Sequence, residues 1–334
     1  MVNKLKNERI FVAGHTGMVG SAVCRLLKKN YVNSNHGNIL LTPTRKELNL
    51  LDKELVEKWF KLNKPSIVII AAAKVGGILA NSTQPANFLL DNLNIQTNII
   101  QAAFENRTKR LLFLGSSCIY PKFASQPIKE EFLLSGDLES TNEWYAIAKI
   151  AGIKLCQSLS IQYGFDAISL MPTNLYGPND NYDSKNGHVM AAMMKRFIHA
   201  SKKKSPYVTC WGSGFPLREF LHVDDLASAV VFCLERWFPL SNDSPKDKNG
   251  NTLYWLNVGS GNDISIKKLA EMVSYLCNYK GKIIWDKKKP DGTPKKLLSV
   301  DRLNNMGWNS KIELEDGITR TINDIRNGLE KNFN

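Results

Sequence analysis

The sequence predicts an α/β protein built on a doubly wound parallel sheet. In the first half of its 334 residues, short apolar runs alternate with amphipathic stretches. The apolar runs lack the polar–apolar alternation of a half-exposed strand, which indicates strands covered on both faces. A glycine-rich turn, GHTGMVG, follows the first run, and the segment after it has helical periodicity. Strand, turn and helix in this order are typical of the opening unit of a doubly wound domain.

The predicted strands and helices alternate as far as Pro172. Strands are expected at residues 9–14, 38–42, 66–73, 110–117 and 166–172, and helices at 17–30, 51–63, 87–106 and 143–163. Asp52 is expected to cap the second helix, because its carboxylate can accept a hydrogen bond from a free backbone N–H of the first turn. The connection between the first helix and the second strand, residues 31–37, is long for such a unit.

Beyond Pro172 the pattern becomes less regular, and glycine, proline and polar residues interrupt it. Shorter elements are expected at 253–259, 266–277 and 282–286, with a terminal helix after Glu313. We therefore expect a nucleotide-binding domain over residues 1–175, with segments near 212–240 as candidates to return to it. Residues 176–334 would form mainly a smaller C-terminal α/β lobe that binds the substrate. The ligand cleft should lie where the carboxyl ends of the strands meet this lobe.

The formal net charge of +13 raises the question of nucleic-acid binding. The basic runs at 202–204 and 287–289 are short and scattered, and they are not interleaved with aromatic residues as a stacking groove would be. We therefore interpret the lysines as a solvated surface and expect no nucleic-acid partner.

The sequence also indicates in which cellular compartment the protein is expected. No apolar run reaches the length of a membrane span, and the N-terminal stretch lacks the apolar region of a secretory signal. The six cysteines include no Cys-x-x-Cys pair and no zinc-ligand spacing. We expect a cytoplasmic protein with reduced thiols and without a metal site or membrane segment.

The glycine turn has the spacing Gly14-x-x-Gly17-x-x-Gly20 between the first strand and the first helix. Gly14 permits the tight turn, Gly17 lets the backbone approach a pyrophosphate at the positive end of the helix, and Gly20 allows close helix packing. Glycines that serve only a turn would look similar in isolation. In this position they predict a Rossmann-type dinucleotide site.

The exit of the second strand bears on the choice of dinucleotide. An NAD enzyme typically places an acid there to bind the ribose hydroxyls. This sequence has Thr-Pro-Thr-Arg, ending at Arg45, with no acid before Glu47. The forked guanidinium of Arg45 suits a 2′-phosphate, which favours NADPH, although an ordinary surface arginine would look the same.

Tyr145 and Lys149 lie four residues apart and share one face of a predicted helix. A tyrosine can give a proton to the alkoxide that forms when hydride reaches a ketone, and a nearby ammonium and an oxidised nicotinamide should both favour its anionic form. Ser116, at the end of the fourth predicted strand, can hydrogen-bond the same carbonyl. The glycine turn, serine, tyrosine and lysine in this chain order resemble the extended branch of the short-chain dehydrogenase/reductase superfamily.

Longer stretches narrow the resemblance. They are AGHTGMVGSA, AAAKVGGI, LLFLGSSCIYPK, YAIAKIAGIKLC, MPTNLYGPND, WGSGFPLREFLHVDD and KPDGTPKKLL. Together they resemble the GDP-L-fucose synthase family over residues 8–330. The resemblance implies a two-part reaction in which GDP-4-keto-6-deoxy-D-mannose is epimerised at C3 and C5 and then reduced at C4 by NADPH.

The same resemblance implies the site residues. The matching catalytic positions are Ser116, Tyr145 and Lys149 for reduction, and Cys118 and His188 for epimerisation. The implied cofactor contacts are Gly14, His15, Thr16, Gly17, Met18, Val19, Gly20, Arg45, Leu114, Gly115, Ser116, Lys149, Pro172, Asn174, Leu175 and His188. The implied substrate contacts are Arg196, Trp211, Arg218 and Asp291.

These residue types suit the chemistry. Hydrogens on C3 and C5 are acidic because both carbons flank the C4 carbonyl, and inversion needs a base and an acid on opposite faces of the ring. A thiol and an imidazole titrate near neutral pH with modest tuning. Taken alone, Cys118 is more typical of a buried small residue and His188 of a surface residue, whereas Trp211 fits a core position and Arg218 a structural ion pair as well as they fit a substrate site.

Other functions and one departure from the family pattern stay open at this point. A 4-epimerase that recycles tightly held NAD would not need the cysteine–histidine pair, and a non-catalytic NADP-binding subunit would commonly lack Tyr145 or Lys149. Trp144 stands where a proline is usual. The superfamily also implies a homodimer through the Tyr145 helix, whose apolar residues cover more than one face, as they would in a helix buried within a monomer. They are Ile147, Ile150, Ile153 and Leu155.

Overall fold

The computed structural model describes residues 5–32, 37–182, 189–289 and 291–331. Its first part follows the predicted alternation. The elements are β1 (Arg9–Ala13), α1 (Met18–Leu27), β2 (Ile39–Leu41), α2 (Lys53–Asn63), β3 (Ile67–Ile70), α3 (Ile78–Thr83), α4 (Pro85–Glu105), β4 (Arg110–Leu114), α5 (Glu143–Tyr163), β5 (Ala167–Pro172) and β6 (Asn174–Tyr176).

The second part contains shorter strands and five further helices among the described residues. They are α6 (Val189–Lys202), β7 (Tyr207–Trp211), β8 (Leu217–His222), α7 (Val223–Arg236), β9 (Trp255–Val258), β10 (Asp263–Ser265), α8 (Ile266–Leu276), β11 (Lys282–Asp286), β12 (Lys295–Lys296), α9 (Asp301–Asn305) and α10 (Leu314–Lys331).

The central sheet has six strands in the order β2-β1-β3-β4-β5-β9, and every neighbouring pair is parallel. All residues of β3, β4 and β5 are buried, because helices cover both faces. Ile168 and Leu170 of β5 face the core beneath α1 and α7, whereas Ala167 and Met171 face the core beneath α2, α4 and α5. The predicted doubly wound, Rossmann-type sheet is confirmed.

The chain returns to this sheet after the C-terminal part has begun. Helix α7 packs against α1, and β9 pairs with the outer edge of β5. Residues 255–258, which the sequence placed in the C-terminal lobe, thus form the sixth strand of the central sheet. The strand is fully buried, so its backbone groups need hydrogen-bonding partners, and β5 provides them along one edge.

The remaining elements surround a separate core. In one small sheet β8 lies between β10 and β12 and also pairs with β6, and in another β11 pairs with β7. Helices α6, α8 and α10 pack around these strands and bury residues such as Met194, Phe197, Leu269 and Ile318. This lobe lies next to the carboxyl end of β5, because β6 follows that strand directly and joins β8.

Local chemistry explains several element ends. Asp52 caps α2 as expected, and its carboxylate accepts a hydrogen bond of 3.0 Å from the Leu55 N–H. The fourth strand ends at Leu114 rather than at residue 117, because the Ser116 hydroxyl accepts a hydrogen bond from the Cys118 N–H and starts a 3₁₀ turn. The long connection after α1 begins with a π-helical segment, Lys28–Val32.

Two general properties complete the fold. In the described part of the chain, no helix combines the length and apolar character needed to cross a bilayer. All six cysteines are free thiols; five are buried and Cys118 is half-buried.

Candidate active site

A cavity of about 950 Å³ opens at the carboxyl end of the central sheet. The strand order changes direction between β1 and β3, and the loops that follow these two strands line the cavity together with the ends of β4 and β5. Ligands of doubly wound proteins bind at such a switch point, because neighbouring loops diverge there and leave a crevice.

The glycine turn forms one wall of this cavity. Gly14 has a φ of +83°, and a β-carbon on it would lie 2.7 Å from the Ala72 backbone nitrogen. A β-carbon on Gly20 would lie 2.1 Å from the Gly14 carbonyl oxygen, whereas one on Gly17 would lie 3.5 Å from that atom. Gly17 caps α1, so the positive end of the helix opens onto the cavity.

These distances predict different outcomes for two alanine substitutions. Gly20→Ala should lower the free energy of unfolding by about 1–3 kcal/mol, because the turn must move to admit the methyl group. Gly17→Ala is the matched control and should lower it much less, since its methyl group meets ordinary contact distances. Urea denaturation of both variants checks this, and equal destabilisation would contradict the close packing at Gly20.

The turn after β2 forms another edge of the cavity. Pro43, Thr44 and Arg45 line the cavity, and the Arg45 side chain is exposed. The Glu47 carboxylate folds back and accepts a hydrogen bond of 2.6 Å from the Thr44 N–H. This bond lowers the pKa of Glu47 and occupies the nearest acid, so the edge presents a cation rather than a carboxylate.

The structure brings Ser116, Tyr145 and Lys149 together on the opposite side of the cavity. The Ser116 hydroxyl is near enough to the Tyr145 phenol to lower its pKa. The Lys149 Nζ donates to the Leu114 carbonyl at 2.7 Å and lies 5.8 Å from the centroid of the Tyr145 ring. The lysine is thereby fixed beside the tyrosine, at the end of β4.

Burial controls the protonation of this group. It raises the pKa of Tyr145 well above its ordinary value, and the nearby Cys118 adds to this effect while the Ser116 hydroxyl opposes it. Burial lowers the pKa of Lys149 to about 7. Burial is the largest influence on the Tyr145 pKa, and it opposes the anionic form that Lys149 and an oxidised nicotinamide were expected to favour. Tyr145 is held as the neutral phenol, which is the form that can give a proton.

Cys118 lies next to this group. It belongs to the 3₁₀ turn that Ser116 caps, and it lines the same cavity. The Lys296 ammonium lies 3.6 Å from the Cys118 Sγ, and Arg218 is near enough for its charge to interact with the sulfur. Cys118 is therefore not a core cysteine.

All the expected cofactor residues within the described ranges line the cavity. Besides the glycine turn, Arg45, Ser116 and Lys149, they are Leu114, Gly115, Pro172, Asn174 and Leu175. His188, expected to contribute to both catalysis and cofactor binding, lies outside the described residues.

The four expected substrate residues lie in the C-terminal lobe, and none of them lines the 950 Å³ cavity. The Arg196 guanidinium donates to the Thr209 carbonyl at 2.6 Å. Trp211 is 61% exposed, with the Lys289 ammonium 5.2 Å from its ring centroid, so it is not core.

The other two substrate residues meet at one segment of the lobe. Arg218 donates to the carbonyls of Leu217 and Thr293, and the Asp291 charge stabilises its guanidinium although burial lowers the pKa of Arg218. The Asp291 carboxylate accepts hydrogen bonds from the N–H and hydroxyl of Ser213. The structure thus joins Arg218 and Asp291 beside Cys118.

Comparison with known proteins places this site in a family. Residues 10–242 match the family model described as NAD dependent epimerase/dehydratase family. The chain belongs to this family. It is 52% identical to GDP-L-fucose synthase 1 of Arabidopsis thaliana, covering 95% of this chain and 92% of the relative, and 50% identical to GDP-L-fucose synthase of Escherichia coli, covering 95% and 96%. The GDP-mannoheptose C4 reductase MlghC from Campylobacter jejuni, solved with NADP bound, has a TM-score of 0.83 and 34% identity, covering 96% of this chain and 98% of that chain.

Some features of this family member were missed by the sequence reasoning. The Lys74 ammonium pairs with Asp91 at 2.8 Å at the cavity wall, and Asn92 holds the Lys74 backbone through two hydrogen bonds. Lys74 lies in the stretch AAAKVGGI, whose position after β3 was the available signal. Lys296 lies in the stretch KPDGTPKKLL, which was the available signal, but its two-residue strand does not indicate what the side chain contacts.

Proposed function

We propose that this protein is a bifunctional 3,5-epimerase and NADPH-dependent 4-reductase that converts GDP-4-keto-6-deoxy-D-mannose to GDP-L-fucose. One observation carries the proposal: the glycine turn, the Ser116–Tyr145–Lys149 group and Cys118 line one cavity. A reductase alone would need no thiol beside the tyrosine. The two GDP-L-fucose synthases that are about half identical over nearly the full chain support the choice of substrate.

The cavity fits NADPH. Gly17 caps α1 at the cavity wall, so the backbone at the start of this helix can approach a pyrophosphate. Arg45 is placed at the far edge, where a 2′-phosphate would be bound through two parallel hydrogen bonds. The neutral or cationic Lys149 can hydrogen-bond the nicotinamide ribose. The NADP bound to the 34% identical reductase supports this assignment.

Arg45→Ala should raise the KM for NADPH by about tenfold or more and change the KM for NADH little, because only NADPH carries the 2′-phosphate. Lys46→Ala is the matched control: Lys46 is also exposed and basic but does not line the cavity. Steady-state kinetics with both dinucleotides checks the prediction. An equal rise for NADPH and NADH would remove Arg45 from the phosphate site.

When bound, NADPH supplies the hydride for the C4 ketone. Tyr145 gives its proton to the C4 oxygen, and the raised pKa of its phenol keeps that proton in place until the oxygen becomes basic. Ser116 donates a second hydrogen bond to the same oxygen. Lys149, held by the Leu114 carbonyl, positions the ribose and stabilises the tyrosinate that remains.

Epimerisation uses the same oxygen-binding groups. Cys118 removes a proton from the carbon next to the ketone, and Ser116 and Tyr145 stabilise the enolate oxygen. We assign the proton donor on the other ring face to His188 on the sequence resemblance alone. Arg196 and Arg218 would bind the diphosphate, and the exposed Trp211 ring offers a face to the nucleotide.

The direct test is incubation of the purified protein with NADPH and GDP-4-keto-6-deoxy-D-mannose, with the product identified by mass and NMR. The expected result is GDP-L-fucose with one NADPH consumed per sugar. Recovery of the keto sugar with no NADPH consumed would contradict the proposal and would instead favour a 4-epimerase that recycles tightly held NAD or a non-catalytic dinucleotide-binding protein.

We also propose a cytoplasmic homodimer that pairs through α4 and α5. Of the four apolar residues named on α5, Ile150 and Ile153 belong to the core and Leu155 packs against it, whereas Ile147 is exposed. Trp144 and Leu90 are exposed on the same two helices. The free thiols fit a reducing compartment. Light scattering of the purified protein measures the assembly, and a monomer would contradict it.

A further inference from the structure

The Lys296 side chain reaches across the active site to the epimerisation thiol. Its ammonium lies 3.6 Å from the Cys118 Sγ, and both residues are half-buried. Lys296 belongs to β12 of the C-terminal lobe, where it is paired in register with Arg218 of β8. Cys118 belongs to the turn after β4 of the central sheet. The C-terminal lobe therefore places the Lys296 ammonium beside the Cys118 thiol of the central-sheet domain.

Of the charged groups described near Cys118, Lys296 is the one whose charge can act most directly on the sulfur. Among the residues that the structure describes, three titratable or charged groups face Cys118: the Tyr145 phenol from α5, the Arg218 guanidinium from β8 and the Lys296 ammonium from β12. Burial keeps Tyr145 neutral, and Arg218 is engaged by the carbonyls of Leu217 and Thr293.

The ammonium of Lys296 is directed to the sulfur itself. In the described part of the chain no carboxylate pairs with it, although the adjacent Lys295 pairs with Asp263 at 3.1 Å. Lys296 is thus the group that can respond directly to the charge on the sulfur, and Lys295 is a neighbour on the same strand without that contact.

We propose that Lys296 is a positioning residue that holds Cys118 as the thiolate needed for epimerisation. The inference rests on the proposed function, since it explains how the thiolate base of the proposed epimerisation is formed. A thiolate, not a thiol, accepts protons readily, and a neighbouring ammonium favours the thiolate. The short β12 strand fixes this ammonium, because its backbone is bonded to β8.

The step balances without an added reactant. A lone pair of the thiolate takes a proton from the carbon next to the ketone, and the electrons of the C–H bond form the enolate. A general acid returns a proton to the same carbon from the opposite face. The thiol then loses its proton to solvent, and that acid regains one from solvent. Lys296 keeps its protons throughout and changes only the stability of the anionic sulfur.

The test follows Cys118 itself. The pH dependence of its alkylation by iodoacetamide, read by peptide mass spectrometry, reports its thiolate fraction, since the other five cysteines are buried. Lys296→Met and Lys296→Gln should shift the midpoint upward by about one pH unit, which is roughly tenfold less thiolate at neutral pH. Lys296→Arg should retain most of the wild-type profile, and Lys295→Met, the matched control, should leave it unchanged.

A second measurement tests whether the Cys118 thiolate is the base in the epimerisation step. Without NADPH, the exchange of C3 and C5 hydrogens for solvent deuterium should fall about tenfold in Lys296→Met at neutral pH and recover as the pH is raised. A lysine that only binds substrate or supports the fold would not produce this recovery.

Unchanged alkylation profiles in both Lys296→Met and Lys296→Gln would overturn the proposal, even if the KM for the sugar rose. The proposed function fails separately: if the wild-type protein exchanges no sugar hydrogens and makes no GDP-L-fucose, that function is wrong. The alkylation profiles would still decide whether Lys296 tunes the thiol.

Discussion

Tyr145→Phe is expected to abolish the reduction of the C4 ketone while the protein stays folded. The variant keeps the ring that packs in the cavity wall and removes only the hydroxyl that donates the proton. General acid catalysis of this kind contributes about 10²–10⁴-fold to a rate, so kcat for NADPH oxidation should fall within that range. Absorbance of NADPH in the presence of the keto sugar measures it.

The raised pKa of Tyr145 adds a pH signature to this prediction. Because the phenol is the active form and burial raises its pKa, wild-type reduction should not decline from ionisation of Tyr145 as the pH rises through neutrality. Tyr163→Phe is the matched control, since Tyr163 ends the same helix and is 58% exposed, away from the cavity. Wild-type kcat in Tyr145→Phe would show that another group protonates the alkoxide.

Cys118→Ser is expected to block epimerisation and to leave NADPH binding intact. The hydroxyl preserves the size of the side chain but is a much weaker acid than a thiol, so the anionic base is lost. Exchange of the sugar hydrogens with solvent deuterium should fall by about 10²–10⁴-fold. NMR of the recovered sugar gives this rate for each carbon separately.

Binding of NADPH provides the control within the same variant. Cys118 is not among the expected cofactor contacts, so the dinucleotide affinity measured by fluorescence should stay within about twofold of the wild-type value. If Cys118→Ser formed GDP-L-fucose at the wild-type rate, the assignment of the base to this residue would be wrong. A loss of NADPH binding together with exchange would instead indicate a damaged cavity.

The sequence was most informative where function depends on local spacing. The glycine turn sits between one strand and one helix, Tyr145 and Lys149 lie one turn apart, and Ser116 follows a strand end. Each of these arrangements is determined within a few residues, so the pattern alone placed them at one edge of the sheet.

Features that depend on distant contacts were not predictable. Lys296 and Cys118 are separated by 178 positions, and nothing in a two-residue strand indicates which thiol it will meet. The raised pKa of Tyr145 could not be read from the spacing, because burial, its largest cause, depends on how several elements pack around the side chain. The pairing of β9 with β5 was not predicted either. A short, mainly apolar strand could belong to the central sheet or to a sheet of the C-terminal lobe, and only distant contacts decide between them.

Because α7 and β9 return to the central sheet, the dinucleotide-binding part of the protein cannot be separated from the rest by truncating the chain. A truncated protein ending near residue 175 would leave the outer edge of β5 without its hydrogen-bonding neighbour and uncover the apolar face of α1. Such an edge invites intermolecular strand pairing and aggregation. The dinucleotide half is therefore not a module that could be expressed alone or fused to another catalytic lobe, and engineering must keep the whole chain.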